Sequence, residues 1–163
     1  MSWVSILMGS ESDWPVMQSC KEVFDDLEIS CEVRITSAHR TPQETKDYVV
    51  DAQSRGCKIF ICAAGMAAHL AGAVASKTVL PIIGVPGDGG PLSGMDALLS
   101  TVQMPKGIPV ATVAIGSAGA INSAYLAAQM LGIESESIRS ALLKVRQDGV
   151  ESIKASNKKI AES

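Results

Sequence analysis

The run Ser37-Ala38-His39-Arg40-Thr41-Pro42 places one of the chain's two histidines directly beside an arginine. An imidazole changes protonation near neutral pH, and a guanidinium offers a fixed fork to a phosphate or carboxylate. Behind an apolar alternating segment, the two side chains fit a proton-transfer group next to an anion clamp. A turn whose polar residues only cap the following helix fits the same six residues, and the hexapeptide alone leaves both readings open.

Other segments carry polar chemistry of the same kind. Gly9-Ser10-Glu11-Ser12-Asp13 combines a tight-turn glycine with two hydroxyls ahead of a helix start, where free N–H groups attract anions. A phosphate or a sugar hydroxyl network suits it, as does an ordinary Ser/Asp cap. It is neither a Walker loop nor Gly-x-Gly-x-x-Gly. Ala63 to Gly72 is built from small residues that let backbone approach a ligand. His69 within it reads either as a ligand contact or as a helix-face histidine held by packing. Gly84 to Gly94 has five glycines and two prolines, suited to a pocket wall or lid, or to a plain surface loop. Gln103 to Pro109 reads as turn chemistry or as a further loop beside a site. No second carboxylate accompanies Asp13 as an acidic metal pocket would require, and there is no Gly-x-Ser-x-Gly elbow. One acid–base histidine, one arginine, hydroxyls and glycine-rich walls point to proton and carboxyl chemistry on a small phosphorylated ligand.

The elements that must position these loops alternate along the chain. Val4 to Met8 is apolar enough for a buried strand, and Asp13 to Leu27 has helical spacing through Val16, Met17, Cys20, Val23, Phe24 and Leu27. Asp13 is a good N-cap, with Pro15 in the first turn. Cys31 to Ile35 is the second strand. Thr41 as N-cap and Pro42 at the first helical position open a helix to about Ser54. Strands are expected at Lys58–Ala63, Leu80–Val85 and Val110–Ile115. Helices are expected from about Ala67, over Gly94–Thr101, over Ala118–Leu131 and over Glu134 to about Ile160. This alternation implies right-handed crossovers, a parallel sheet and helices on both faces, hence a Rossmann-like or flavodoxin-like three-layer α/β sandwich. Ligands of such sheets bind beyond the carboxyl ends of the strands, which makes the loops that follow the strands the place to look.

A chain of 163 residues is read as one domain, a core over roughly 1–132 followed by a long C-terminal helix at about 134–160. Folding at this size buries about 70% of the unfolded chain's surface, so neither disulfides nor a structural metal are required. Apolar residues at 47% and a mean hydropathy of +0.22 suggest strands buried on both faces or surface hidden in an oligomer. A net charge of −3 and two each of Phe, Tyr and Trp argue against a nucleic-acid partner. Cys20, Cys31, Cys57 and Cys62 form no Cys-x-x-Cys pair, so a zinc site is not expected and reduced core thiols in a cytoplasmic protein are. The first residues read as a strand rather than a signal peptide, and no apolar stretch reaches membrane-spanning length uninterrupted.

Taken together, the motifs resemble one family. They are Met-Gly-Ser-x-Ser-Asp at 8–13, Ser-Ala-His-Arg-Thr-Pro at 37–42, Ala-Ala-His-Leu-x-Gly at 67–72 and Leu-Ser-Gly-Met-Asp at 92–96, followed by Val-Gln-Met-Pro-Lys-Gly-Ile-Pro-Val at 102–110 and Ala-Ile-Gly at 114–116. The family is that of the 5-(carboxyamino)imidazole ribonucleotide mutases of purine biosynthesis, and the resemblance extends to about Leu131. It implies a flavodoxin-like sandwich assembled as a homo-octamer with active sites near subunit contacts. It also implies a ribonucleotide substrate and a reaction that needs neither ATP, metal nor other cofactor. By resemblance His39 is the general acid–base, and Ser10, Asp13 and Arg40 match substrate-binding positions, with Ser12 and Ser37 as further candidates. The stretch from Gly65 through Ala67 and His69 to Leu70 would hold the carboxyl group or carbon dioxide. Many members carry a second glycine where this chain has Met66 and a proline where it has Ala71, and the segment Gly87–Pro91 departs from the commoner pattern.

Within the family, the alternative is a branch that carboxylates aminoimidazole ribonucleotide directly with carbon dioxide; the Ala-Ala-His-Leu and Val-Gln-Met-Pro segments look like the mutase branch. Outside enzymes, the alternative is a non-catalytic phosphosugar-binding module in which His39 is only a contact. An electron carrier of the flavodoxin type would need aromatic residues beside its flavin, and these loops offer none.

Overall fold

The computed structural model describes residues 2–162. Those through Ala127 form one compact unit and those from Ala128 onward a second. In chain order the elements are β1 Trp3–Met8, a single 3-10 turn Glu11–Asp13, α1 Trp14–Asp26, β2 Cys31–Ile35, α2 Pro42–Ser54, β3 Cys57–Ala64 and α3 Leu70–Ala75. Then come β4 Ile82–Pro86, α4 Met95–Val102, β5 Ala111–Thr112, α5 Ser117–Leu131 and α6 Glu136–Ala161.

The sheet is all parallel, in the order β2-β1-β3-β4-β5, the flavodoxin-like order. β1 lies between β2 and β3, pairing Ile6 with Val33 on one side and with Ile61 on the other. Its near-continuous apolar run reflects this central place, because a parallel strand covered on both faces has little use for polar residues. Leu7 joins Tyr48, Val49, Phe60, Leu70 and Val74 in the core beneath α2 and α3. Ser5 is polar and fully buried, and its hydroxyl is paired with the Tyr48 hydroxyl at 2.9 Å. On the opposite face, Met17, Cys20 and Phe24 of α1 are wholly buried, and Ser123 of α5 comes within 3.5 Å of the Cys20 sulfur. Burial pushes the Cys20 thiol up to about 12 and the Cys57 thiol up to about 11, so these behave as small core residues. α4 sits close on β4 because Gly84 has no side chain. A Cβ there would lie 2.4 Å from Thr101 Cγ2 and 2.9 Å from Val110 Cγ1.

Two boundaries differ most from the sequence expectation, and several others move by one or two residues. β5 covers only Ala111–Thr112 rather than Val110–Ile115. It is the edge strand, and the chain leaves the regular ladder while Val113 N still donates to Gly84 O at 3.0 Å and Gly116 N to Pro86 O at 2.9 Å. α3 begins at Leu70 rather than near Ala67, since Met66 is left-handed and the next residues form a tight turn. Asp13 is the N-cap residue of α1 by position, as read, but its side chain makes no cap to that helix; the side-chain cap belongs to Ser10 and the preceding 3-10 turn.

In the second unit α6 is a 26-residue helix capped by Ser135, whose side chain accepts from Ile138 N. Lys158 and Lys159 in its last turn complement the negative end of the helix. None of its described residues is buried, and Leu143, Val150, Ile153 and Ile160 are exposed along it. Among the described residues, no helix is long and apolar enough to cross a membrane.

Candidate functional site

The chain turns one way from β1 to β2 and the other way to β3, so the loops after β1 and β3 part and leave a crevice at the carboxyl end of the sheet. The cavity there has a volume of about 560 Å³. Its walls are the four loops that follow β1, β2, β3 and β4, around a floor that includes Ala63 and Val85. All ten residues singled out from the sequence line it: Ser10, Ser12, Asp13, Ser37, His39, Arg40, Gly65, Ala67, His69 and Leu70.

The loop after β1 is built as a reciprocal cap. Ser10 N donates to Asp13 Oδ2 at 3.0 Å, and Ser12 N donates to Ser10 Oγ at 3.3 Å. The Ser12 hydroxyl also donates to Ser10 Oγ at 3.0 Å, which gathers both hydroxyls at one wall. Burial holds the Asp13 carboxyl above its ordinary value, and hydrogen bonds from the Ser10 and Gly9 backbone pull it part of the way back.

The loop after β2 closes on itself. Thr41 Oγ accepts from Ser37 N at 3.0 Å, and Thr41 N donates to Ser37 O at the same distance. Thr41 is thus the N-cap residue of α2 by position, while its side chain serves the turn rather than the helix. Arg40 is pinned by this turn: its backbone N donates to Ser37 Oγ at 3.1 Å, and its Nη2 reaches back to Gly9 O at 3.1 Å. That last bond ties the second loop to the first and sets the guanidinium beside the Ser10–Asp13 cap.

His39 and His69 meet across the cavity wall. His39 Nε2 lies 2.7 Å from His69 Nδ1, with the rings edge to face at 77° and their centroids 4.9 Å apart. One nitrogen donates and the other accepts, so the pair shares a single proton position. His69 is the N-cap residue of α3 and not a histidine held by packing on its face. The loop that carries it is braced from α4: Ser100 Oγ accepts from Ala68 N at 2.9 Å and donates to Asp96 O at 2.7 Å.

The AIR carboxylase family profile matches residues 3–152. The chain belongs to that family. Relatives in this AIR carboxylase family include the N5-carboxyaminoimidazole ribonucleotide mutase of Vibrio parahaemolyticus, 50% identical over 152 residues that make up 93% of this chain and 94% of the relative. The mutase of Bacillus subtilis is 48% identical over 145 residues, 89% of this chain and 90% of the relative. Among solved structures, PurE of Treponema denticola superposes with a TM-score of 0.88 at 25% identity, covering 98% of each chain.

Sequence reasoning on this AIR carboxylase family chain missed part of the cavity. Val16 and Met17 line it from α1, while Met66 and the Asp88–Gly90 run line it from loops read as walls without being singled out as site residues. Val16 and Met17 read only as helix periodicity. Met66 was visible as a large residue inside a small-residue run, but its left-handed backbone was not.

Proposed function

We propose that this chain catalyses an isomerisation in de novo purine biosynthesis, converting 5-(carboxyamino)imidazole ribonucleotide to 4-carboxy-5-aminoimidazole ribonucleotide. The relatives' names support the reaction. The observation that carries the chemistry is the 2.7 Å contact between His39 and His69 in a cavity that also holds Arg40 and Asp13.

The substrate's parts match the walls in turn. Arg40, with the Ser10, Ser12 and Ser37 hydroxyls, suits the 5-phosphate, and Asp13 suits the ribose hydroxyls. Backbone and small side chains from Gly65 through Ala67 to Leu70 suit the carboxyl group and the carbon dioxide derived from it. His39, as imidazolium, gives its proton to the carbamate nitrogen. The carbon–nitrogen bond breaks, its electron pair stays on nitrogen, and carbon dioxide is released into the cavity. The ring π electrons at carbon 4 then form the new carbon–carbon bond. His39 takes the proton from that carbon, which restores the aromatic ring and the imidazolium. One imidazole can serve as acid in the first step and as base in the second. His69 gives His39 a partner that holds or returns the proton between the two steps. The four-loop walls support a reading in which the bound ribonucleotide completes the enclosure and keeps water from the intermediate.

The same reading includes a cytoplasmic homo-octamer acting without ATP, metal or other cofactor. Self-association is supported by Met95, Leu99 and Val102, which line one face of α4 and are all exposed. Free Cys20, Cys31, Cys57 and Cys62 suit a reducing compartment.

Parallel assays on the purified protein test the reaction, with no ATP and no added metal. One receives 5-(carboxyamino)imidazole ribonucleotide and the other aminoimidazole ribonucleotide with bicarbonate. Product from the first alone is expected. Turnover mainly from the second would assign the direct carboxylation, and binding without turnover in either would leave a phosphosugar-binding module.

A further inference from the structure

The loop after β3 holds a residue in a conformation its type disfavours. Met66 has φ +52, in the left-handed region where an L side chain crowds the backbone. A glycine would take this turn without penalty. Backbone strain kept at a site wall points to a use for the side chain that imposes it.

Met66 lines the cavity, is 57% exposed, and meets the loop after β4 at Gly90. Gly90 in that loop has φ +84, and a Cβ there would lie 3.1 Å from Met66 Cγ and 3.7 Å from its sulfur. The methionine is therefore seated on bare backbone. Nearer the strand ends the two loops meet a second time: Gly87 N donates to Ala64 O at 2.9 Å, and a Cβ on Gly87 would lie 3.1 Å from Gly65 Cα. The first junction is rigid backbone. The second, Met66 on Gly90, is a single flexible thioether that can shift and reseat.

We propose that Met66 is a positioning residue whose side chain clasps the neighbouring Gly90 loop at the cavity wall and retains carbon dioxide between the two halves of the reaction. The inference rests on the mutase reading. Carbon dioxide is small and uncharged, so no ion pair can hold it, and its capture by ring carbon 4 depends on the walls staying together. An unbranched apolar side chain that bridges both walls keeps them together without blocking entry of the ribonucleotide.

The test is conversion of 5-(carboxyamino)imidazole ribonucleotide in isotopically labelled bicarbonate with carbonic anhydrase present. Label in the product then reports carbon dioxide that left and returned, and initial rates are corrected for breakdown without enzyme. Wild type is expected to give little label. Met66→Gly and Met66→Ala are expected to raise the labelled fraction several-fold with KM nearly unchanged, and Met66→Leu to restore the wild-type fraction. A wild-type fraction in both Met66→Gly and Met66→Ala would overturn the proposal, as would Met66→Leu leaking as much as Met66→Gly. Met66→Gly also relieves the left-handed strain, so it is expected to fold at least as stably as wild type. Absence of turnover in wild type would instead reject the mutase reading, before any comparison of leakage.

Discussion

His39 Nε2 and His69 Nδ1 lie 2.7 Å apart although thirty positions separate them in the chain. The fold creates this contact. β1 sits between β2 and β3, so the loops after the two outer strands face each other across the mouth of the central one. One loop is closed by Thr41 on Ser37, the other is braced by Ser100, and each presents an imidazole to the same space.

If His69 holds the shared proton, His69→Asn keeps a hydrogen-bonding side chain at position 69 but cannot titrate. The variant is expected to lower kcat, with little change in KM, and to alter the shape of the pH–rate profile. A profile and kcat equal to wild type would reduce His69 to a structural cap.

On the proposed function, Asp13 trades stability for substrate binding. Its folded-state carboxyl titrates above the ordinary aspartate value of 3.8, chiefly because it is buried. Between that value and the raised one, the folded protein binds more protons than the unfolded chain. The stability contributed by this group is therefore fully present below 3.8, falls as pH rises through the window, and is lowest at neutral pH. Asp13→Asn is thus expected to match or exceed wild-type Tm at neutral pH while losing substrate affinity. In wild type the acid limb of kcat/KM should lie above the ordinary aspartate range, and that limb should vanish in the variant. A large drop in Tm for Asp13→Asn would contradict the assignment.

Gly119 in α5 admits no side chain, because a Cβ would stand 1.7 Å from the Ala114 carbonyl oxygen. Backbone cannot swing aside as a flexible side chain can. Gly119→Ala is expected to cost about 1–3 kcal/mol or more, read as a lowered denaturant midpoint. Gly149→Ala is the control: nothing lies within 4 Å of its added Cβ, and it lies in the middle of α6. It should leave the midpoint unchanged or raise it, since alanine in a helix is favoured over glycine by about 0.5–1 kcal/mol. Equal effects from the two would show that the close approach at Gly119 is not what constrains it.

The fold was legible because period and punctuation agree. β2 occupies Cys31–Ile35 as read, and α2 starts at Pro42, where proline's fixed φ and the absence of its N–H favour a first turn. The site was legible as a set of loops, since strand–helix alternation alone puts them at one end of the sheet. What the chain did not disclose was tertiary. Strand pairing ends β5 after two residues, which residue type does not reveal. Asp13 stands at the N-cap position of α1 as its type suggests, but its side chain is spent as the acceptor in a box headed by Ser10. The contact that turns two isolated histidines into a pair depends on sheet order, and the seat of Met66 on Gly90 depends on two backbone angles.

In the proposed reaction His39 moves the proton in both steps. The decisive measurement is His39→Asn, assayed for binding of 5-(carboxyamino)imidazole ribonucleotide by calorimetry on rapid mixing and for turnover in the same preparation. Binding is expected to stay within a few-fold of wild type while turnover falls by a factor of about 10²–10⁴, the share that acid–base catalysis supplies. Turnover close to wild type in this variant would contradict the mechanism.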